Sequence, residues 1–375
     1  MRLRKKALLG TLLLLTLVAS LIASITIRNT SVTVSASGTS ARAKYSVVIL
    51  LDGVLPRMIT AQDAPFITSL GKSGVRYNHA VTALPGDSIT DITADLSGTF
   101  PTNTGMIYET FYDRYYKQKI ELDETPVLPP GFTLANAGNL LYSETIFQAA
   151  KARGLGTEFI AKYPAYSIEN GPRRLGPSPS IDVLHTPTFA NFTGTPQQYD
   201  AQNFDFMRAG ILSSHRSNLF VIYAVAPNSI EKQYGINAPQ VSQVISFEDN
   251  QIKQTVASLK QAGIYDQTDI IVTADHGNTA VNKAITDSGP GSIQQYLDDH
   301  GFPVVQATAD QVYLVWLQNP AQTAAAIKLL STPAVKKQFG IWYILNQDRL
   351  KDLHAAPAYR TPNFAIQPTI GEDGT

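Results

Sequence analysis

The sequence lacks both cysteine and net charge, and each absence removes a class of function. Because none of the 375 residues is cysteine, disulfides, thiolate metal sites and a cysteine nucleophile are excluded. The 30 basic and 30 acidic side chains cancel at pH 7, so the composition gives no reason to expect a nucleic-acid polymer as partner. The sequence also shows no internal repeat. Its length and its 44% hydrophobic content fit one large α/β domain or two small ones.

Residues 1–28 predict either an export signal peptide or a membrane anchor. Basic side chains up to Lys6 precede an apolar stretch, Ala7 to Ile27, that contains no charged residue. A basic start before an apolar core is typical of an export signal, but this core approaches the roughly 20 residues that span a bilayer. Residues 29–43, rich in Ser, Thr and Ala, predict a solvated tether. Both interpretations place the following domain, residues 44–375, outside the cytoplasm, either secreted or attached to the membrane.

Short apolar runs separated by helical patterns predict the fold class. Val47 to Leu51 are consecutive aliphatic residues that end at Asp52, which is typical of a strand buried on both faces. Residues 219–224 and 270–273 predict similar strands, and residues 241–262 predict an amphipathic helix between them. Such alternation favours an α/β fold with a mostly parallel central sheet and helices on both faces.

Two regions show no clear periodic pattern of hydrophobic residues. Residues 108–130 are rich in aromatic residues and marked by proline, and we interpret them as a long loop near a site. Residues 163–199 are dominated by Pro, Gly, Ser and Asn, and we interpret them as a surface excursion.

Polar residues of catalytic type occur at three of the predicted element ends. Asp52 follows a buried strand, and the carboxyl ends of parallel strands are where α/β proteins build their sites. Ser88 opens a predicted helix, either as its N-cap or as a nucleophile, and Asp87 is an equally good cap. Asp275 and His276 follow another buried strand and supply oxygen and nitrogen ligands that suit zinc or manganese. The alternative is a loop aspartate beside a solvated histidine.

Four segments, in this order, resemble the type I phosphodiesterase and nucleotide pyrophosphatase branch of the alkaline phosphatase superfamily. They are Val47–Gly53, the Asp-Ser turn at Ser88, Ser97–Met106 and Ala274–Gly277. The segments Tyr112–Arg114 and Arg360–Asn363 resemble a bacterial subgroup of that branch. The resemblance extends from about Tyr45 to Pro368. It implies an alkaline-phosphatase-like fold and the hydrolysis of small phosphodiester or nucleotide pyrophosphate substrates through a covalent phospho-serine intermediate.

The resemblance also implies two divalent ions, of which this chain matches only one. Asp52, Asp275, His276 and the nucleophile Ser88 match the first set of ligands, and we expect zinc there, with manganese as the alternative. The second site is expected to be incomplete, because its positions are changed. Asn228 and Lys232 stand where the family has Asp and His, with Glu231 as a substitute carboxylate if the alignment shifts. The last histidine of the second set has no counterpart before Thr375. This leaves two alternatives, a C-terminally incomplete domain or a natural one-metal or non-catalytic variant.

Asp91 is a candidate substrate-binding residue in the same resemblance. It occupies the place where some relatives carry an asparagine that donates to the phosphoryl oxygen. An ionised carboxylate would repel phosphate there. We therefore expect Asp91 to be protonated, turned away or in contact with a metal.

Two further functions remain open from the sequence. The changed second site is compatible with a catalytically silent family member that binds a phosphorylated ligand, and nothing excludes a phosphomonoesterase. A sulfatase is disfavoured, because the chain has no cysteine to form the usual formylglycine and no Ser-x-Pro-x-Arg motif surrounds Ser88.

Overall fold

The strand predicted before Asp52 is strand β1, Tyr45–Leu51, at the centre of the fold. The structure is a computed structural model that describes residues 43–77, 79–280, 288–309 and 312–370. The predicted leader, all but the last residue of the predicted tether, and residues 371–375 lie outside this part of the chain. Within the described residues, no helix is both long and apolar enough to cross a membrane.

Five parallel strands form the central sheet: β1 and four of the six strands that follow it along the chain. These six strands are β2 Thr110–Asp113, β3 Gln118–Glu121, β4 Thr157–Ile160, β5 Val183–His185, β6 Leu219–Ala224 and β7 Thr268–Thr273. Strands β2 and β3 form a separate hairpin. The sheet has the order β5-β4-β6-β1-β7, and every pair within it is parallel. The loops that follow β1, β4, β6 and β7 therefore leave from the same edge of the sheet.

Helices cover both faces of this sheet, as the sequence predicted. The helices are α1 Pro65–Ser73, α2 Ser88–Ser97, α3 Pro101–Thr104, α4 Ile146–Lys151, α5 Pro196–Leu212, α6 Ala226–Tyr234, α7 Pro239–Gln261, α8 Ile293–Asp299, α9 Thr323–Leu330, α10 Pro333–Phe339 and α11 Gln347–Asp352. Because side chains alternate along a strand, Val48 and Leu50 pack in one core with α2 and α4. Val47, Ile49 and Leu51 pack in another core with α5 and α7.

A second sheet, which the sequence did not predict as a unit, follows in the chain. Its strands are β8 Val304–Ala309, β9 Tyr313–Leu317, β10 Ile341–Asn346 and β11 Phe364–Pro368, in the antiparallel order β10-β11-β9-β8. Only β9 gives a continuous buried run. Strand β11 lies in a proline-containing segment, but Pro362 precedes the strand and Pro368 is its last residue. Both prolines thus stand where a strand tolerates them.

The two regions interpreted as irregular contain regular structure, so residues 108–130 are not one long loop and residues 164–170 are not part of a surface excursion. Residues 108–130 hold the hairpin of β2 and β3, in which Phe111 pairs with Ile120 and both side chains are fully buried. Residues 163–199 contain the edge strand β5 and a 3₁₀ helix, Pro164–Asn170. Tyr166 within this helix is buried and packs against the rings of Phe159 and Tyr223. In both regions the elements are too short to show a period.

Arg360 links two of the motif segments as a buried structural cation. Its side chain is 2% exposed, and Nε donates to Asp113 Oδ2 at 2.8 Å. Nη1 donates to the carbonyl oxygens of Gly105 at 2.8 Å and Leu140 at 3.0 Å. The neighbouring Arg114 donates to Asn363 Oδ1 at 2.7 Å. The two segments that resemble the bacterial subgroup therefore hold each other and the loop after α3.

Removing this cation should destabilise the protein strongly. In Arg360→Met, Asp113 loses its buried partner and two carbonyls lose their donor, so we expect a loss of about 3–5 kcal/mol in the free energy of unfolding, measured by urea denaturation. Arg349→Met is the control, because Arg349 and Asp352 form a pair that is 64% and 62% exposed; it should change stability by less than about 1 kcal/mol. Equal effects of the two substitutions would contradict this role of Arg360.

Candidate functional site

Four predicted residues converge at the carboxyl edge of the parallel sheet. Asp52 follows β1 directly, and Asp275 and His276 follow the adjacent strand β7. Ser88 is the first residue of α2, which Asp87 caps through a side chain that accepts from Thr90 N. Ser88 is therefore not needed as the cap. All four site residues are buried, and Ser88 is the most exposed of them at 8%.

His276 Nε2 lies at the centre of this group. It is 3.3 Å from Ser88 Oγ, 3.5 Å from Asp275 Oδ2 and 3.6 Å from Asp52 Oδ1. The ligand atoms of Asp52, Asp275 and His276 all lie within 4.8 Å of one another. Ligands about 2.1 Å from a tetrahedral zinc ion are themselves about 3.4 Å apart. The spacing around Nε2 therefore fits ligands that surround one ion.

Hydrogen bonds to the other polar atoms of Asp275 and His276 leave one ligand atom of each side chain directed toward the candidate metal position. Asp275 Oδ1 accepts from Gly53 N at 3.2 Å and from His276 N at 2.7 Å, which leaves Oδ2. His276 Nδ1 lies 3.4 Å from the carbonyl oxygen of Gly277, an acceptor that favours the tautomer with Nε2 unprotonated. Asp52 Oδ1 is buried and accepts no hydrogen bond from the described residues. This donor set fits a divalent cation.

The electrostatics of the group also favour a cation. Burial raises the pKa of Asp52, but the charges of Lys162 and His276 outweigh burial and hold that pKa below its ordinary value. Burial and the charge of Asp52 raise the pKa of Asp275. Burial lowers the pKa of His276, and the charges of Asp275 and Asp52 raise it by more. Without a metal the site therefore keeps protons that a bound cation would displace.

Tyr223 belongs to the site, and the sequence did not single it out. Its hydroxyl oxygen is 2.9 Å from Asp275 Oδ2, to which it donates, and 3.0 Å from Ser88 Oγ. The side chain is fully buried in β6. The available signal was a tyrosine inside an otherwise apolar strand, since a buried tyrosine hydroxyl requires a hydrogen-bond partner.

Lys162 also belongs to the site and was missed. It follows the end of β4, and its Nζ lies 3.4 Å from Asp52 Oδ2. The ammonium lies over the rings of Tyr163 and Tyr223, at 4.8 and 5.2 Å from their centroids. Burial lowers the pKa of Lys162, but Asp52 raises it well above its ordinary value. The side chain is therefore charged at neutral pH.

Two of the three residues proposed for the second metal site lie close to Asp52, but they bind an amide. Asn278 Nδ2 donates to Asn228 Oδ1 at 2.9 Å and to Glu231 Oε2 at 2.8 Å. Lys232, on the same helix α6, is exposed. Gly53 has a φ of +79°, and a Cβ atom there would lie 2.7 Å from Asn278 Nδ2. Only glycine at position 53 allows the Asn278 side chain to approach the backbone after Asp52 this closely.

Asp91 lies beside the site and faces the turn before α2. Its Oδ1 accepts from Ala83 N at 2.8 Å. Burial raises its pKa from 3.8 to about 8, assisted by the nearby Asp275. Of the three expectations for Asp91, the protonated form therefore agrees with the structure. Its role as a substrate-binding residue stays a prediction.

The buried proton of Asp91 predicts a pH-dependent stability. The unfolded chain releases this proton near pH 3.8, whereas the folded protein keeps it up to about pH 8. The stability gained from the raised pKa is complete below pH 3.8 and is lost as the pH rises toward 8. Relative to Asp91→Asn, the wild type should lose at most about 1.4 kcal/mol of unfolding free energy per pH unit between pH 5 and 8.

Urea denaturation of both proteins across that range measures this effect. Asp348→Asn is the matched control, because the side chain of Asp348 is 84% exposed. A difference between the wild type and Asp91→Asn that does not vary with pH would contradict a buried, protonated Asp91.

The parallel sheet thus places the serine at the start of α2 beside a group of potential metal ligands. The family type I phosphodiesterase / nucleotide pyrophosphatase matches residues 46–371, and the chain belongs to this family. No curated protein matches the sequence significantly.

Solved structures share the fold at low identity. Murine ectonucleotide pyrophosphatase / phosphodiesterase 5 aligns with a TM-score of 0.66 and 14% identity over 87% of this chain and 79% of that chain. The human protein of the same name gives a TM-score of 0.66 and 14% identity, with 87% and 79% coverage. An inactive murine form in complex with AMP gives a TM-score of 0.67 and 14% identity, with 88% and 79% coverage.

Proposed function

We propose that this protein is a metal-dependent hydrolase of phosphodiester or nucleotide pyrophosphate bonds, with Ser88 as its nucleophile. The observation that carries this proposal is the position of Ser88 Oγ, 3.3 Å from His276 Nε2 and beside the ligand atoms of Asp52 and Asp275. Membership of the family supports the reaction class. Zinc suits these ligands best, and manganese is the alternative.

Asp52, Asp275 and His276 would hold the ion, and Ser88 Oγ would be its fourth ligand. A divalent ion bound there would lower the pKa of the serine hydroxyl and polarise a phosphoryl oxygen. The fit rests on the unpartnered Asp52 Oδ1 and on the ligand spacing around His276 Nε2.

The chain's own groups prepare Ser88 for attack. Ser88 lies in the first turn of α2, where the helix dipole favours a negative oxygen. The Tyr223 hydroxyl, whose single proton points to Asp275 Oδ2 in this structure, could turn that proton to Ser88 Oγ at 3.0 Å once Asp275 Oδ2 binds the ion. This hydrogen bond would stabilise the negative charge on the serine oxygen and fix its position.

Ser88 Oγ then loses its proton and bonds to phosphorus as the bond to the leaving oxygen breaks, and the leaving group departs with a proton. The resulting phospho-Ser88 still carries the other substituent of the substrate. Water cleaves this ester in a second step, which releases the phosphate monoester and returns a proton to Ser88.

The substrate class is a small phosphate ester. The complex of murine ectonucleotide pyrophosphatase / phosphodiesterase 5 with AMP supports a nucleotide as one such ligand. A phosphomonoesterase uses the same four residues and differs only in whether phosphorus carries a second substituent.

A second candidate is a catalytically silent protein that binds a phosphorylated ligand. It is favoured by one observation, the amide of Asn278 that donates to Asn228 and Glu231 in the second half of the site. Binding of AMP without turnover of any phosphate ester would support this candidate and contradict the hydrolase.

We also propose that residues 44–375 work outside the cytoplasm. The support is the basic and apolar leader of residues 1–28. Fractionation of cells that express the full chain tests this proposal, and recovery of the protein in the cytoplasm alone would contradict it. N-terminal sequencing distinguishes a cleaved signal from a retained anchor.

Substitution of Ser88 tests the proposed mechanism. Ser88→Ala should lower kcat/KM for bis(p-nitrophenyl) phosphate by at least about 1,000-fold, because the nucleophile is absent. Tyr223→Phe should lower it by about 10- to 100-fold, the value of one hydrogen bond to a charged oxygen. The same assay with p-nitrophenyl phosphate separates diesterase from monoesterase activity.

Ser97→Ala is the matched control, since Ser97 ends the same helix and its hydroxyl bonds the carbonyl oxygen of Thr93. It should retain wild-type kcat/KM. Full activity of Ser88→Ala would overturn the mechanism.

A further inference from the structure

The residues at the expected second metal site, Asn228 and Glu231, form hydrogen bonds with a neighbouring amide. Asn278 occupies the space between Asn228 and Glu231 with a nitrogen that donates to both. An amide donor in this position repels a cation, and asparagine is a poor ligand for zinc. Among the described residues, Asp52, Asp275 and His276 form the one group spaced to ligate a metal. This region therefore lacks the charge that a second metal would bring.

Lys162 places a positive charge in the same site. The two oxygens of Asp52 face different groups. Oδ1 lies 3.6 Å from His276 Nε2, and Oδ2 lies 3.4 Å from the Lys162 ammonium. The 3.4 Å distance is longer than the roughly 2.7–2.9 Å of a tight ion pair. The ammonium has three protons, and Asp52 is the one hydrogen-bond acceptor that it reaches among the described residues. It retains donors for a second anion.

The exposure and the positive charge of Lys162 both suit this side chain to binding the substrate. Lys162 and Ser88 are each 8% exposed and are the most exposed members of the group, whereas Asp52, Asp275, His276 and Tyr223 are between 0% and 5% exposed. A divalent ion would balance the charges of Asp52 and Asp275, and the ammonium of Lys162 adds a positive charge beside them. That charge complements the single negative charge of a phosphodiester.

We propose that Lys162 stands in for the second metal ion and binds the phosphoryl oxygens of the substrate. The protein would thus act with one metal ion and one ammonium group. This inference rests on the proposed function for the chemical class of its ligand. It concerns binding, however, and it is tested without turnover.

Phosphate binding in a catalytically silenced background tests the inference. Ser88→Ala protein loaded with one equivalent of zinc is titrated with inorganic phosphate by calorimetry, and its metal content is measured by mass spectrometry. Adding Lys162→Met should weaken phosphate binding by about 10- to 100-fold and leave one zinc per chain. Lys162→Arg should stay within about threefold, because it keeps the charge. Lys151→Met, which removes an ion-paired lysine on helix α4, should bind phosphate as the background does.

The absence of cysteine allows the charge itself to be restored. Lys162→Cys would carry a single thiol. Alkylation of this thiol in the unfolded protein with 2-bromoethylamine restores a lysine-like ammonium, whereas iodoacetamide leaves a neutral side chain. After refolding, the first product should recover phosphate binding and the second should not.

Three results would overturn the inference. Equal phosphate affinity of Lys162→Met and its background would remove the binding role, as would equal affinity of the two alkylated products. Loss of zinc in Lys162→Met would make Lys162 a positioning residue for Asp52. Failure of the proposed function is a separate outcome, seen as the absence of hydrolysis by the wild type, and it leaves the phosphate titration valid.

Discussion

The buried carboxylate of Asp52 is the group on which the rest of the site depends. An anion that is 1% exposed costs several kcal/mol of desolvation unless cations and donors surround it. The sheet order brings these partners, because β1 lies between β6 and β7 with β4 one strand further. The segment after β7 brings His276, and the segment after β4 brings Lys162. The fold thus surrounds one carboxylate with positive groups that come from distant parts of the chain.

This arrangement gives the two oxygens of Asp52 different surroundings. Oδ1 faces His276 and the candidate metal position, and Oδ2 faces the ammonium of Lys162. On the other side of Gly53 the site contains hydrogen-bonded polar groups, because the amide of Asn278 donates to both Asn228 and Glu231. The structure therefore brings the predicted first set of ligands together and occupies the second set with an amide, and it places the Lys162 ammonium beside the second oxygen of Asp52.

The central sheet and four of the site residues could be predicted from the sequence because the signal is local. Asp52 directly follows the apolar run of the buried strand β1, and Asp275 follows the apolar run of the partly exposed edge strand β7. Ser88 opens a helix with Asp87 as its cap. Lys162 and Tyr223 have no such signal, since Lys162 meets Asp52 across 110 positions of the chain and Tyr223 meets Ser88 across 135. Strands of three or four residues, such as β2, β3 and β5, are also too short to show a period.

Anomalous diffraction from crystals of the zinc-loaded protein tests the central claim most directly. The account predicts one anomalous peak per chain, about 2.0–2.2 Å from Asp52 Oδ1, Asp275 Oδ2 and His276 Nε2, with no peak between Asn228 and Glu231. A second peak beside these two residues, or a single peak away from Asp52, would contradict a site built from one metal ion and Lys162.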